Sequence, residues 1–376
     1  MSDSTNEIRG LLRPRLREKQ PYGAPQVDAP VRLNTNENSY ALPDVVVHEI
    51  VTAIQQAAPQ LNRYPDREFS ELRESLADYV TSVTGVDISP TQVWAGNGSN
   101  EVLTHVVQAF GDQRGALCFS PTYAMYQNYC DTNDVPWMDG FEGLNIDPLA
   151  PLDPQTVATQ IKTRQPGIVF IPSPNNPTGT TVPLNVVEAA YEASPNTIVV
   201  VDEAYAEFRR PGTPSAIELL ANRPRLVVSR TMSKAFCLAG GRLGYLVTSN
   251  DIADALRLVR LPYHLSTATQ AIANAALKHT DRMLAEVDTL RLQRDRIVTG
   301  VRALGLTCPD SDSNFVLVGG LGDQQTVWRA LLERGVLVRD VGIPGHLRVT
   351  AGTPDETGTF LQALGEVLEE SNSPRP

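Results

Sequence analysis

Cysteine is scarce in this chain. Cys118, Cys130, Cys237 and Cys308 are scattered at no spacing that suits a structural metal. Cys118 and Cys237 stand among apolar neighbours and read as core thiols of a reducing compartment. The five histidines form no HxH or HExxH pattern, so no metal site is expected. No apolar run approaches the ~20 residues that a membrane helix requires. The first residues, Met1 to Glu7, lack the basic-then-apolar order of a secretory signal. Positive charge is also in deficit: the formal net charge is −11, which argues against a nucleic-acid partner. These absences leave a cytoplasmic metabolic protein as the expectation.

What is present begins with length, since 376 residues suffice for about two domains. One stretch organises the rest: Thr231-Met-Ser-Lys-Ala-Phe-Cys-Leu-Ala-Gly-Gly-Arg-Leu-Gly244, entered from the apolar run Leu226-Val-Val. Lys234 follows two hydroxyls and is walled by Ala235, Phe236 and Leu238. Desolvation favours its free amine, the form that bonds an aldehyde. Thr231, Ser233 and Arg242 supply neutral donors and a forked cation, which suit a phosphate monoester. A small molecule with both groups is pyridoxal phosphate. A surface lysine beside a flexible glycine loop is the plainer reading, and neighbouring segments must decide.

Between residues 91 and 230 strands and helices alternate, which predicts a mostly parallel sheet with helices on both faces. Strands are expected over 91–95, 115–119, 167–171 and 197–201, and helices over 45–58 (capped by Asp44), 70–83 and 101–110; residues 140–160 carry little signal. Gly96-Asn-Gly-Ser-Asn100 forms a tight turn that opens a helix and can present backbone N–H groups to an anion. Tyr123 suits either a core cap or a ring stacked on a cofactor. Asn176 sits in the rigid turn 172–179. Asp202 closes the most strand-like run, where burial is costly without a cation; it fits a protonated pyridine nitrogen as well as a helix N-cap. Ligands of such sheets sit beyond the C-terminal strand ends. Ser99, Tyr123, Asn176, Asp202 and Thr231 to Lys234 all follow strands at that end, and this convergence of matched groups favours the cofactor.

A strand over 245–248 and helices over 267–278 (capped by Ser266) and 282–304 follow, the last a natural bridge between domains. Residues 313–370 then read β-α-β-β-α, a small domain completed by the chain's beginning. Residues 1–30 form a polar arm, and 371–376 a polar tail. The expected division is 1–45 for the arm and part of the small domain, 46–280 for the large cofactor-binding domain, and 281–376 for the small domain. Arg339 and Arg348 lie on neighbouring short strands, facing either solvent or a substrate anion.

Asn176-Pro-Thr-Gly179, Asp202-x-x-Tyr205 and Ser233-Lys-Ala-x-x-Leu-Ala-Gly-x-Arg242 resemble aminotransferases of the aspartate aminotransferase fold, fold type I. Pro21-Tyr22, Asn34-x-Asn-Glu-Asn38, Arg63-Tyr-Pro-Asp66, Asn314-Phe315, Val338-Arg339 and Leu347-Arg-Val-Thr350 resemble the histidinol-phosphate aminotransferase family within it. Ser39 departs from the proline usual after Asn-Glu-Asn. The resemblance implies an α/β large domain and a smaller α+β domain built from both chain ends. It implies that Lys234 bonds pyridoxal phosphate and shuttles the proton, and that Asp202 pairs with the pyridine nitrogen. Asn176 and Tyr205 would bond the ring 3-oxygen, and Tyr123 would stack on the ring. Ser99, Thr231, Ser233 and Arg242 would hold the phosphate, with Tyr64 reaching over from the second subunit of a homodimer. Arg348 would bind the glutamate carboxylate or the substrate phosphate, assisted by Arg339; Tyr22, Asn100, Tyr263 and Asn314 are further pocket candidates. The implied reaction moves the amino group of L-glutamate to imidazole-acetol phosphate in histidine biosynthesis, giving 2-oxoglutarate and L-histidinol phosphate. Phenylalanine aminotransfer is the alternative.

Overall fold

The computed structural model describes residues 8–23 and 25–372. Met1 to Glu7 and the last four residues of the tail lie outside the described residues. Seven strands form the main sheet: β2 (Val93–Gly96), β3 (Ala116–Cys118), β4 (Trp137–Asp139), β5 (Ile168–Pro172), β6 (Ile198–Asp202), β7 (Leu226–Thr231) and β8 (Gly244–Val247), in the order β2-β8-β7-β6-β5-β3-β4. Only β8 runs against its neighbours β2 and β7. The other six therefore point one way and end at one edge. β5, β6 and β7 are rich in β-branched residues and almost wholly buried, as strands covered on both faces must be.

A second, antiparallel sheet joins β9 (Phe315–Val318), β11 (Arg339–Asp340) and β12 (Leu347–Thr350) in the order β11-β12-β9. The short β1 (Val31–Arg32) pairs in parallel with β10 (Val336–Leu337), so the beginning of the chain is built into this smaller body. Leu33 joins its apolar cluster with Val301, Val316, Val349 and Phe360. The larger cluster runs from Val46 to Leu290, includes Phe315 and packs on the seven-stranded sheet. The helix Val287–Ala303 contributes Leu290 to the larger cluster and Ile297 and Val301 to the smaller.

Several local expectations need correction. Asp44 is the first helical residue and not the cap: Pro43 occupies the cap position and has no side-chain donor or acceptor. The quiet 140–160 region holds the helix Pro154–Arg164, capped by Asp153 with proline at its first position. The expected 282–304 helix is broken into Thr280–Met283 and Val287–Ala303. The run from Val336 to Asp340 splits at Val338 because its two halves pair with different strands. Ser266 does cap the helix Thr267–Leu277, accepting from the Thr269 amide at 3.0 Å. The four cysteines are free thiols; Cys118 is fully buried, but Cys237 is only half-buried.

The arm lies along the helix Met125–Thr132. Arg13 pairs with Asp134, while Arg15 and Lys19 pair with Asp131. This places Tyr22 at the mouth of the site described next.

Candidate active site

Five of the six co-directed strands deliver their C-terminal ends to one cavity. Ser99 and Asn100 arrive after β2, Tyr123 after β3, Asn176 after β5, Asp202 and Tyr205 from β6, and Thr231, Ser233 and Lys234 from β7. Arg242 closes the same wall, and Tyr22, Arg339 and Arg348 complete it from the arm and the smaller body.

Lys234 Nζ donates to the Thr35 carbonyl at 3.1 Å. Burial, then the positive charges of Arg348 and Arg242, pull its pKa down to about 8. Asp202 is its chemical opposite across the cavity. The carboxylate accepts from Ser229 Oγ at 2.6 Å and Tyr126 OH at 2.7 Å, yet it has no cationic partner among the described residues. Burial raises its pKa despite those two donors. It does not cap a helix: the next helical turn, Ala206–Phe208, has Tyr205 in the cap position. An acid held this way is suited to a cation brought by a ligand.

Next to Asp202, Glu203 is also buried, but it is paired. Arg230 reaches it at 2.8 Å and Arg209 at 3.2 Å, and these cations outweigh burial and hold its pKa low. This pair fixes the ends of β6 and β7 relative to each other. Removing one partner would leave an uncompensated buried charge, a cost of about 3–5 kcal/mol.

The other end of the cavity is a cradle for an anion. Gly98 has φ +87°, and a Cβ there would lie 2.4 Å from Arg242 Nη2. A Cβ on Gly244 would lie 2.1 Å from the Ser99 amide. Both glycines therefore let the cradle close around its ligand. Arg242 Nη1 donates to Ser233 Oγ at 3.3 Å, and Thr231 Oγ1 donates to the same atom at 3.0 Å. The helix Ser99–Phe110 aims its free N-terminal amides at the same place.

Arg348 is buried over the Phe315 ring without an acidic partner among the described residues. Its guanidinium donates to Asn176 Oδ1 at 2.7 Å and to the Asn34 carbonyl at 2.8 Å, while Nε has no partner. A buried cation with an unused donor is a receptor for an anion. Since Asn176 Oδ1 is taken by Arg348, the Asn176 amide can only donate towards the cavity. Tyr123 hydrogen-bonds Asn100 at 3.3 Å, and burial raises its pKa strongly.

Three sequence candidates lie elsewhere. Tyr64 is 80% exposed and stacks on Tyr263 at 4.4 Å, and neither lines this cavity. Tyr263 is drawn to the surface pair and has positive φ. Asn314 sits behind the cavity, its amide used on the Asn36 carbonyl at 3.0 Å. In turn, sequence reasoning missed Tyr126, Ser229, Thr35 and Asn36. The Ser229 signal is register, because it pairs with Asp202 across β6 and β7.

The sheet order and the strand-end cavity define the class of protein. The family model for aminotransferase class I and II matches residues 29–364. A histidinol-phosphate aminotransferase of Paenarthrobacter aurescens (strain TC1) is 53% identical over 373 residues, 98% of this chain and 98% of that one. One from Thermobifida fusca (strain YX) is 49% identical over 354 residues, covering 94% of each. Among solved structures, the histidinol-phosphate aminotransferase of Sinorhizobium meliloti in complex with pyridoxal-5'-phosphate superposes with a TM-score of 0.83 at 23% identity. It covers 96% of this chain and 98% of that one. A Thermus thermophilus aspartate aminotransferase double mutant shares the fold with a TM-score of 0.77, at 23% identity and 95% and 99% coverage. The chain belongs to the histidinol-phosphate aminotransferase family.

Proposed function

We propose that the protein transfers the amino group of L-glutamate to imidazole-acetol phosphate, using pyridoxal phosphate held in the strand-end cavity. The observation that carries this reading is Arg348, a buried guanidinium with a free donor and no acid of its own. One arginine fork can accept the carboxylate of glutamate in one half-reaction and the phosphate of the second substrate in the other.

The residues present fit the cofactor. Asp202 has no cationic partner among the described residues, Arg242 and the Ser99 amide close around Gly98 and Gly244 in a cradle suited to an anion, and Lys234 has a weakened ammonium. Ser99, Thr231, Ser233 and Arg242 would hold the phosphate, and Tyr123 would cover the ring. Asn176 and Tyr205 would hold the ring oxygen, and Asp202 would keep a proton on the ring nitrogen. When bound, the cofactor supplies a sink for the electrons left behind as the substrate Cα loses its proton. Lys234 Nζ takes that proton and returns it one position along. Arg348, assisted by Arg339, fixes the substrate so that Cα faces Nζ, and Tyr22 shields the mouth from water.

The reading extends to a homodimer in which Tyr64 reaches the partner's phosphate cradle, since Tyr64 and Tyr263 form an exposed aromatic pair. It extends also to the domain division 1–45, 46–280 and 281–376, which the two apolar clusters follow except that Met283, Val287, Leu290 and Phe315 pack in the larger one, and to a cytoplasmic location. Among the described residues no helix is long and apolar enough to cross a membrane.

Two measurements test the reading. The kcat/KM for histidinol phosphate should exceed that for phenylalanine; a clear preference for phenylalanine would transfer the protein to the aromatic aminotransferases. Separately, cofactor-free protein should take up pyridoxal phosphate faster as pH rises through about 8, because a lowered lysine pKa yields free amine above that value. In Arg348→Gln one of the charges that lowers it is gone, so the rise should move to higher pH. An uptake rate flat from pH 7 to 9 would contradict this account of Lys234.

A further inference from the structure

The loop Asn34-Thr35-Asn36 touches three groups of the site, and the hydrogens around Asn36 can be assigned individually. Asn36 is buried, with φ 57°, and its backbone amide donates to Thr350 Oγ1 at 3.1 Å. Thr350 Oγ1 lies 3.1 Å from Asn36 Oδ1 as well. Among the described residues the Thr350 hydroxyl has no other acceptor. A hydroxyl carries a single hydrogen, so it must go to Oδ1; the flipped amide would bury that hydrogen unpaired. The amide oxygen is thereby identified, and the amide nitrogen faces Tyr205 OH at 2.9 Å. Nitrogen donates and the phenol oxygen accepts. Tyr205 then has its own hydrogen left over, and among the described residues nothing accepts it. The one direction remaining is the cavity that Tyr205 lines.

We propose that Asn36 and Thr350 fix the direction of the Tyr205 hydroxyl hydrogen, making Tyr205 a donor to the ring oxygen of the bound cofactor. Asn36 is a positioning residue, acting through Tyr205. The proposal rests on the pyridoxal phosphate reading above and adds the means by which Tyr205 is aimed. Two donors, Tyr205 OH and the Asn176 amide, then meet one ring oxygen and stabilise its negative charge. That charge would otherwise strengthen the hold on the proton of the nitrogen joined to Lys234. The arrangement therefore lowers the pH at which that proton leaves, an event read directly from the cofactor's visible absorbance. Thr350 is two residues from Arg348 on β12, so anion recognition and the aiming of Tyr205 share one strand.

The test is a pH titration of cofactor absorbance in the holoenzyme. Asn36→Asp keeps the shape but turns a donor into an acceptor, so the Tyr205 hydrogen should turn away from the cavity. The absorbance midpoint should rise by about one pH unit, and kcat/KM should fall about tenfold. Thr350→Val removes the group that fixes the amide and should shift the midpoint in the same direction by less. Thr350→Ser, which keeps the hydroxyl, should restore the wild-type midpoint. An unchanged midpoint in Asn36→Asp overturns the proposal; if that variant does not fold, an unchanged midpoint in Thr350→Val does so. Wild-type protein that shows no cofactor band at all would instead overturn the underlying reading.

Discussion

Lys234→Ala is expected to lower turnover at least about ten-thousandfold, the upper range for loss of a general acid–base group. It should also abolish the lysine-linked yellow colour of the purified protein. Two roles fail together, since the same amine anchors the cofactor and moves the Cα proton. The loss should be chemical and not structural. Lys234 makes one hydrogen bond, to the Thr35 carbonyl, and its ammonium is already disfavoured by burial, so alanine removes a costly group from the fold. Thermal stability of the cofactor-free variant should accordingly match or exceed that of wild type. A small primary amine added to the assay should restore part of the lost rate, which a misfolded variant would not show. Turnover near the wild-type level would remove Lys234 from the mechanism altogether.

Asp202→Asn is the second large effect, on the order of a thousandfold in kcat by comparison with other buried electrostatic stabilisers. Asparagine preserves shape and can still meet Ser229 and Tyr126, but it cannot pair as an anion with a protonated ring nitrogen. Stability should move in the opposite sense. The Asp202 carboxyl has its pKa raised in the folded state, so the folded protein binds more protons there than the unfolded chain does. Cofactor-free wild type therefore loses stability as pH climbs from the ordinary carboxylate range through the raised value, and Asp202→Asn should not. Melting curves of the two proteins across that range check the sign. Activity within tenfold of wild type would show that the carboxylate is not the partner of the ring.

Much of this site could be read along the chain because its parts follow strands. A run such as Ile198–Asp202 announces itself by β-branched residues, and an acid at its end is conspicuous. The same logic located Ser99, Tyr123, Asn176 and Lys234, each a few residues past a recognisable strand. What could not be read depends on sheet order and on distant packing. Ser229 lies opposite Asp202 only because β6 and β7 are neighbours, and Tyr126 reaches it from a helix 76 positions away. Thr35 meets Lys234 across 199 positions and Asn34 meets Arg348 across 314, distances at which a polar turn gives no local hint of its partners. Tyr263, which the family resemblance offered as a pocket candidate, stacks instead on Tyr64 away from this chain's own cavity, a pairing across 199 positions that its local sequence does not announce.

Residues 33–40 form one attachment between the smaller body and the larger, and the helix Val287–Ala303 forms another. Thr35 and Asn34 lie at the first attachment, one touching Lys234 and the other gripping Arg348. Two adjacent carbonyls of one short turn thus serve the lysine and the arginine, so a substitution that bends this turn would be felt at both.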